Sequence, residues 1–174
     1  MTIHTLDTAL LVPLPRESLF PFFCDASNLE RITPPELRFR ILTPRPIEMA
    51  EGTLIEYRLR LWGIPFRWRT RISSWAPLES FVDEQISGPF GLWAHRHEFA
   101  QSDAGTLIRD HIDYALPLSP IGEIAHPLMR RQLTRIFHYR HRVLHGMFCA
   151  DNYAPAPVRF DQPATAGRPD RAGR

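Results

Sequence analysis

Lysine is absent from this chain of 174 residues: all 21 basic side chains are arginine. Chemistry that depends on a lysine amine is thereby excluded. There is no Schiff-base nucleophile, no anchor for pyridoxal phosphate and no phosphate-binding lysine of the Walker-A kind. Cysteine is scarce too. Cys24 and Cys149 each follow a phenylalanine, lie far apart and have no metal-ligand spacing, so they read as small buried hydrophobes. No apolar run reaches the roughly 18 residues that span a bilayer. The N-terminus, MTIHTLDTALLVPLPRES, has no basic region and no small-residue cleavage site. A secretory signal is therefore not expected, and the chain reads as cytoplasmic, where a disulfide is disfavoured. Charge is nearly balanced at +2, and the hydrophobic fraction of 44% is that of an ordinary globular domain. The length suits one domain with a substantial core.

What is present is a run of strand-like text closed by a helix. Ile3–Val12 alternates and stops at Pro13. Residues 15–23 read as a short helix. Asp25 or Ser27 can cap a second, which Pro34 and Pro35 stop. Residues 37–41 alternate again. A meander follows in Thr53–Trp62, Phe66–Trp75, Ser80–Ile86, Leu92–Ala100 and Thr106–Tyr114, broken by glycine- and proline-bearing turns. The short connections predict antiparallel neighbours. Apolar residues at helical spacing then predict a long amphipathic helix over 122–149. Residues 151–174 are rich in Pro, Ala, Gly and Arg and predict an unstructured, dispensable tail. The expected architecture is α+β: a seven-stranded curved antiparallel sheet wrapped on a long C-terminal helix, with two short helices between strands 1 and 2. Residues 1–150 form the single domain.

Alternation assigns faces. Trp93, His95, His97 and Phe99 share one side of their strand, because i and i+2 point the same way. Trp and Phe belong in the core, so both histidines are carried inside. Asp83, Gln85 and Asp110 also fall on inward faces, and Arg140 lies in the apolar stripe of the helix. Buried polar groups need partners, or a cavity with something in it. One reading of His95 and His97 is a core pair hydrogen-bonded to Asp83, Gln85 or Asp110. A second is ligand contact in a cavity. A third, zinc held by the pair with Asp110, has only the i, i+2 spacing behind it, and no metal is expected. Arg140 reads either as a counterion locking helix to sheet or as a cavity group holding a ligand's carboxylate or carbonyl. Tyr57, Trp68, Trp93 and Tyr114 would line the same chamber. The outer face carries a ladder of Arg58, Arg60, Arg67, Arg69 and Arg71. Glu56, Glu84, Glu98 and Asp113 share that face, so it reads as a mixed solvated surface.

Several stretches resemble the helix-grip proteins of the START/Bet v1-like superfamily, the SRPBCC group. They are NLERITPPELRFRILT at 28–43, GTLIEYRLRLWGIPFRWRTRISSW at 52–75, the Asp83-Glu84-Gln85 to Phe99 run with its GPF and alternating Trp, His, His and Phe, and IFHYR at 136–140. The resemblance covers about residues 3–150 and resembles most an uncharacterised bacterial branch. It implies a cavity for a hydrophobic small molecule and supplies no catalytic residue with an assigned role.

Three functions follow as expectations. The first is binding of a hydrophobic or amphipathic molecule, lipid-, polyketide- or aromatic-like, between sheet and helix. Its contacts would be Tyr57, Trp68, Asp83, Gln85, Trp93, His95, His97, Asp110, Tyr114 and Arg140, with no cofactor. A space filled by side chains, with no pocket above about 300 Å³, would sink it. The second is a polyketide cyclase/dehydratase-like enzyme with His95 or His97 as general acid/base. The third is an interaction protein using the basic outer surface, although nucleic acid is not an expected partner.

Overall fold

The computed structural model describes residues 1–118, 120–149, 154 and 156–160. Eight strands form one antiparallel sheet: β1 (His4–Val12), β2 (Arg40–Ile41), β3 (Leu54–Leu61), β4 (Ile64–Ala76), β5 (Ser80–Ser87), β6 (Leu92–Ser102), β7 (Gly105–Ala115) and β8 (Arg159–Phe160). Their spatial order is β2-β3-β4-β5-β6-β7-β1-β8. Helix α1 (Arg16–Cys24) and two 3-10 turns, Ala26–Glu30 and Pro35–Leu37, separate β1 from β2. A third 3-10 turn, Ile121–Ala125, leads into the long helix α2 (His126–Phe148). This is the expected α+β grip of sheet on helix.

Three details correct the expectation. Among the described residues the sheet has eight strands, not seven. The eighth comes from the expected tail, where Phe160 pairs with Leu6 and Arg159 with Asp7 on β1. Arg130 of α2 lies 4.7 Å from the centroid of the Phe160 ring, which fastens this strand to the helix as well. The rest of the expected tail lies almost wholly outside the described residues. Secondly, β2 is shorter than 37–41. Pro35 starts a 3-10 turn that buries Leu37, and Arg38 takes a left-handed conformation (φ 46°) before the strand begins. Thirdly, β4 starts earlier than Phe66. Trp62 and Gly63 both have positive φ (49° and 83°), so a two-residue hairpin already pairs Leu61 with Ile64.

The bend of the sheet has a local cause. β4 is 13 residues long, and its pairing with β5 slips between Arg69 and Thr70 and again between Ile72 and Ser74. Such bulges increase twist and bend the strand. The meander thereby curls round α2, which buries Met129, Leu133, Phe137, Arg140, His141 and Leu144.

The core is divided. One cluster holds Leu6, Tyr57, Leu59, Trp68, Phe90, Ile112, Leu133 and Phe137. The other holds Leu10, Phe20, Phe23, Ile72, Phe81, Phe99, Ile108 and Leu144. Between them every central element contributes a polar side chain. β1 gives Thr8 between Leu6 and Leu10, β4 gives Thr70 between Trp68 and Ile72, and β7 gives Asp110 between Ile108 and Ile112. β6 gives His95 and His97, and α2 gives Arg140 and His141. A polar seam therefore crosses the sheet and meets the helix.

Candidate functional site

The seam is a connected network. Register places His97 opposite Asp110 and Asp83 opposite His95. Asp110 Oδ1 lies 2.9 Å from His95 Nε2 and 2.9 Å from His97 Nδ1. Asp83 Oδ2 lies 3.1 Å from His97 Nε2 and 3.7 Å from His95 Nδ1. From the helix, Arg140 Nη2 comes to 3.3 Å from His97 Nδ1 and 3.6 Å from Asp110 Oδ1. The Thr70 hydroxyl donates to the Glu84 carbonyl at 3.0 Å and lies 3.5 Å from Asp83 Oδ1. Each nitrogen of both imidazoles thus faces a protein group.

Burial and charge set the protonation of these groups. Burial, with the nearby His97, pushes His95 down to about 4 against the pull of the two carboxylates, so it is neutral near pH 7. Burial works to raise the Asp110 carboxyl. The Arg140 charge and the hydrogen bonds from both histidines outweigh it and hold Asp110 well below the usual carboxylate range. Asp83 is lowered in the same way, chiefly by its bond from His97.

A cavity opens beside this network. It measures about 180 Å³ and is bounded by Tyr57, Trp68, Phe90, Trp93 and Phe137, by Asp83, His95, His97 and Arg140 as a polar wall, and by side chains from the end of α1 and the α1–β2 connection, among them Phe23, Leu29, Ile32 and Phe39. It falls below the bound of about 300 Å³ set above for the binding expectation, although the space is open and not filled by side chains. Rings crowd it: Trp68 meets Trp93 edge-on at 5.3 Å, Tyr57 at 5.8 Å and Phe90 at 5.5 Å.

Of the ten residues singled out from sequence, Tyr57, Trp68, Asp83, Trp93, His95, His97 and Arg140 line the cavity. Asp110 sits behind them in the network. Two stand apart. Gln85 is bound to the turn after β5, donating to the Phe90 carbonyl at 2.8 Å and accepting from the Phe90 amide at 3.3 Å. Tyr114 is fully buried and bonds His126 Nε2 at 3.0 Å, next to His4 and Glu123. His141 on α2 lies outside the set of residues expected at the site. It is fully buried, and neither ring nitrogen has a hydrogen-bond partner among the described residues. Burial takes it down to about 4. Its spacing from Phe137 and Leu144 placed it on the apolar stripe, a signal that Arg140 beside it obscured.

Among the described residues, two groups bring ligand atoms within 4.8 Å of one another, Asp83–His95–His97 and His4–Glu123–His126. In each the imidazoles face one another, at 3.7 Å and 38° in the first and 3.6 Å and 18° in the second. The second pair is stacked, and the first is tilted. The first group also has the Arg140 cation beside it. In the second, His4 Nε2 bonds Glu123 Oε2 at 2.7 Å and His126 Nε2 bonds the Tyr114 hydroxyl at 3.0 Å, while His4 Nδ1 and Glu123 Oε1 have no partner among the described residues.

A curved antiparallel sheet closed on a C-terminal helix, with an aromatic cavity between them, is the helix-grip architecture of START and Bet v1-like proteins. The chain belongs to the polyketide cyclase / dehydrase and lipid transport family, whose sequence profile matches residues 12–137. Solved structures share the fold at low identity. Zhui aromatase/cyclase from Streptomyces sp. R1128 superposes with a TM-score of 0.67 at 15% identity, covering 83% of this chain and 93% of that one. A START superfamily protein from Mycobacterium smegmatis gives 0.63 at 14%, covering 83% and 99%. Ginseng major latex-like protein 151 from Panax ginseng gives 0.60 at 10%, covering 86% and 100%. No curated protein matches the sequence.

Proposed function

We propose that this protein binds a small, largely apolar molecule between its sheet and α2. The observation that carries the reading is the cavity itself: an aromatic chamber with one polar wall, in the place where the helix-grip fold leaves room. Its volume favours the compact aromatic end of the expected range over a lipid or an extended polyketide, which would need more than about 300 Å³. Native mass spectrometry of protein purified from its own cell tests the reading. A small molecule that co-purifies and leaves on denaturation supports it. Protein without such a molecule, which also takes up no aromatic probe at saturation, overturns it.

The family name favours a second reading, acid–base catalysis on a polyketide-like substrate by His95 or His97. A general base needs a nitrogen free to meet substrate. Here all four imidazole nitrogens face Asp83, Asp110 or Arg140, which supports binding over turnover. On the outer face, Arg67 and Arg69 pair with Glu56, and Arg71 pairs with Glu84. That pairing supports a solvated surface over a docking site for anions. Absence of binding to anionic vesicles or DNA at low salt would remove this third reading.

A further inference from the structure

We infer that the cavity selects a compact aromatic molecule bearing an oxygen acceptor, received by two unpaired N–H donors of its wall, Trp68 Nε1 and Arg140 Nε. This deepens the binding reading above and rests on it. Both side chains line the cavity, Trp68 from β4 and Arg140 from α2, so sheet and helix each supply one donor. They are 6% and 7% exposed. Neither nitrogen has a hydrogen-bond partner among the described residues. An indole N–H and a guanidinium N–H can only donate. A buried donor without an acceptor bears the full cost of its lost hydration. A ligand oxygen relieves that cost. Among the described lining residues no acceptor atom is left buried and unpaired, so the wall calls for acceptors and not for donors.

Both donors are held in place before any ligand arrives. Arg140 Nη2 lies 3.3 Å from His97 Nδ1 and 3.6 Å from Asp110 Oδ1, and the guanidinium carbon lies 5.8 Å from the centroid of the Phe23 ring. Nε takes no part in these contacts. Trp68 is wedged among the rings of Tyr57, Phe90 and Trp93. Donors fixed in advance lose little freedom on binding, so more of each hydrogen bond appears as affinity. Size sets the remaining limit. An apolar cavity of about 150 Å³ holds a benzene, so about 180 Å³ suits a single ring with a small oxygen-bearing substituent. A carbonyl and a carboxylate present the same acceptor oxygen, and a probe of each kind tells them apart.

Calorimetric titration of the full chain with toluene, acetophenone and benzoate at neutral pH tests this. At least one oxygen-bearing probe is expected to bind about 3- to 10-fold more tightly than toluene, the value of one net hydrogen bond. The rank of benzoate against acetophenone tells a carboxylate acceptor from a carbonyl. Two variants remove the donors in turn. Trp68→Phe takes away the indole N–H and keeps a ring. Arg140→Met with Asp110→Asn takes away the guanidinium without leaving the Asp110 charge alone. The advantage over toluene is expected to vanish in at least one of them. No advantage for either oxygen-bearing probe, or an advantage undiminished in both variants, overturns the inference while leaving the cavity reading intact. If none of the three probes binds, both fall. Should neither variant fold, the ranking of the three probes on the unaltered chain decides.

Discussion

Arg140 on α2 and Asp110 on β7 lie 3.6 Å apart, nitrogen to oxygen, at 7% and 2% exposure. This contact and the two histidines beside it make the seam the place where helix and sheet are coupled by charge as well as by packing. Replacing a single member strands the other. Asp110→Asn is expected to cost about 3–5 kcal/mol, because a buried guanidinium loses its carboxylate. Asp110→Asn combined with Arg140→Met is expected to recover part of that loss, with a coupling of about 1–3 kcal/mol by urea denaturation. Strict additivity would show that the pair is not coupled.

Stability should fall on mild acidification. His95 and His141 have folded-state values of about 4 against 6.5 for the free side chain. Above about pH 6.5 both are neutral folded or unfolded, and nothing is lost. Between about 6.5 and 4 the unfolded chain takes up protons that the folded one refuses. Unfolding free energy then drops, by about 3 kcal/mol for each histidine when complete. Asp83 and Asp110, lowered in the fold, lose their contribution only as pH falls through and below their usual value. His111 acts in the opposite sense through Asp7, but that pair is solvent-exposed and screened. Chemical denaturation across pH 7.5 to 4 measures the slope, and a flat profile in that window would contradict the buried neutral state.

Gly105 opens β7 at φ 124°, and a Cβ there would run into the Val12 carbonyl oxygen. Gly105→Ala is expected to lose more than about 2 kcal/mol, combining backbone strain with that clash. A thermal melt within a degree of the unaltered chain would contradict it.

A chain ending at Cys149 lacks β8. It is expected to lose the ladder on β1, the Thr8 hydroxyl bond to the Pro157 carbonyl at 3.3 Å, and the stacking of Arg130 on Phe160. The melting temperature should fall by several degrees, and the bared edge of β1 should promote self-association, seen by light scattering. An unchanged melt and a monomeric profile would return the tail to the dispensable status expected from its composition.

Period-two text made the meander and its inward faces readable. Trp93, His95, His97 and Phe99 alternate cleanly, and the structure keeps them on one face with Asp110 opposite His97. The helix stripe made Arg140 readable as an inward charge. Other features depend on backbone geometry that composition does not report. The bulges in β4 carry no glycine. Leu37 looked like strand because it alternates, yet Pro35 and the left-handed Arg38 made it the end of a turn. Gln85 has the right parity for the seam, but a nearby backbone, that of Phe90, claims both ends of its amide. The eighth strand was hidden because two residues in a proline-rich tail carry no periodicity.

The edge-on contact of Trp68 and Trp93 at 5.3 Å has an optical consequence. Two indoles so close mix their excited states, so the pair gives a coupled circular-dichroism signal that neither ring gives alone. That signal depends on the angle between the rings. Because both rings bound the cavity, the walls of the binding chamber are also its chromophores.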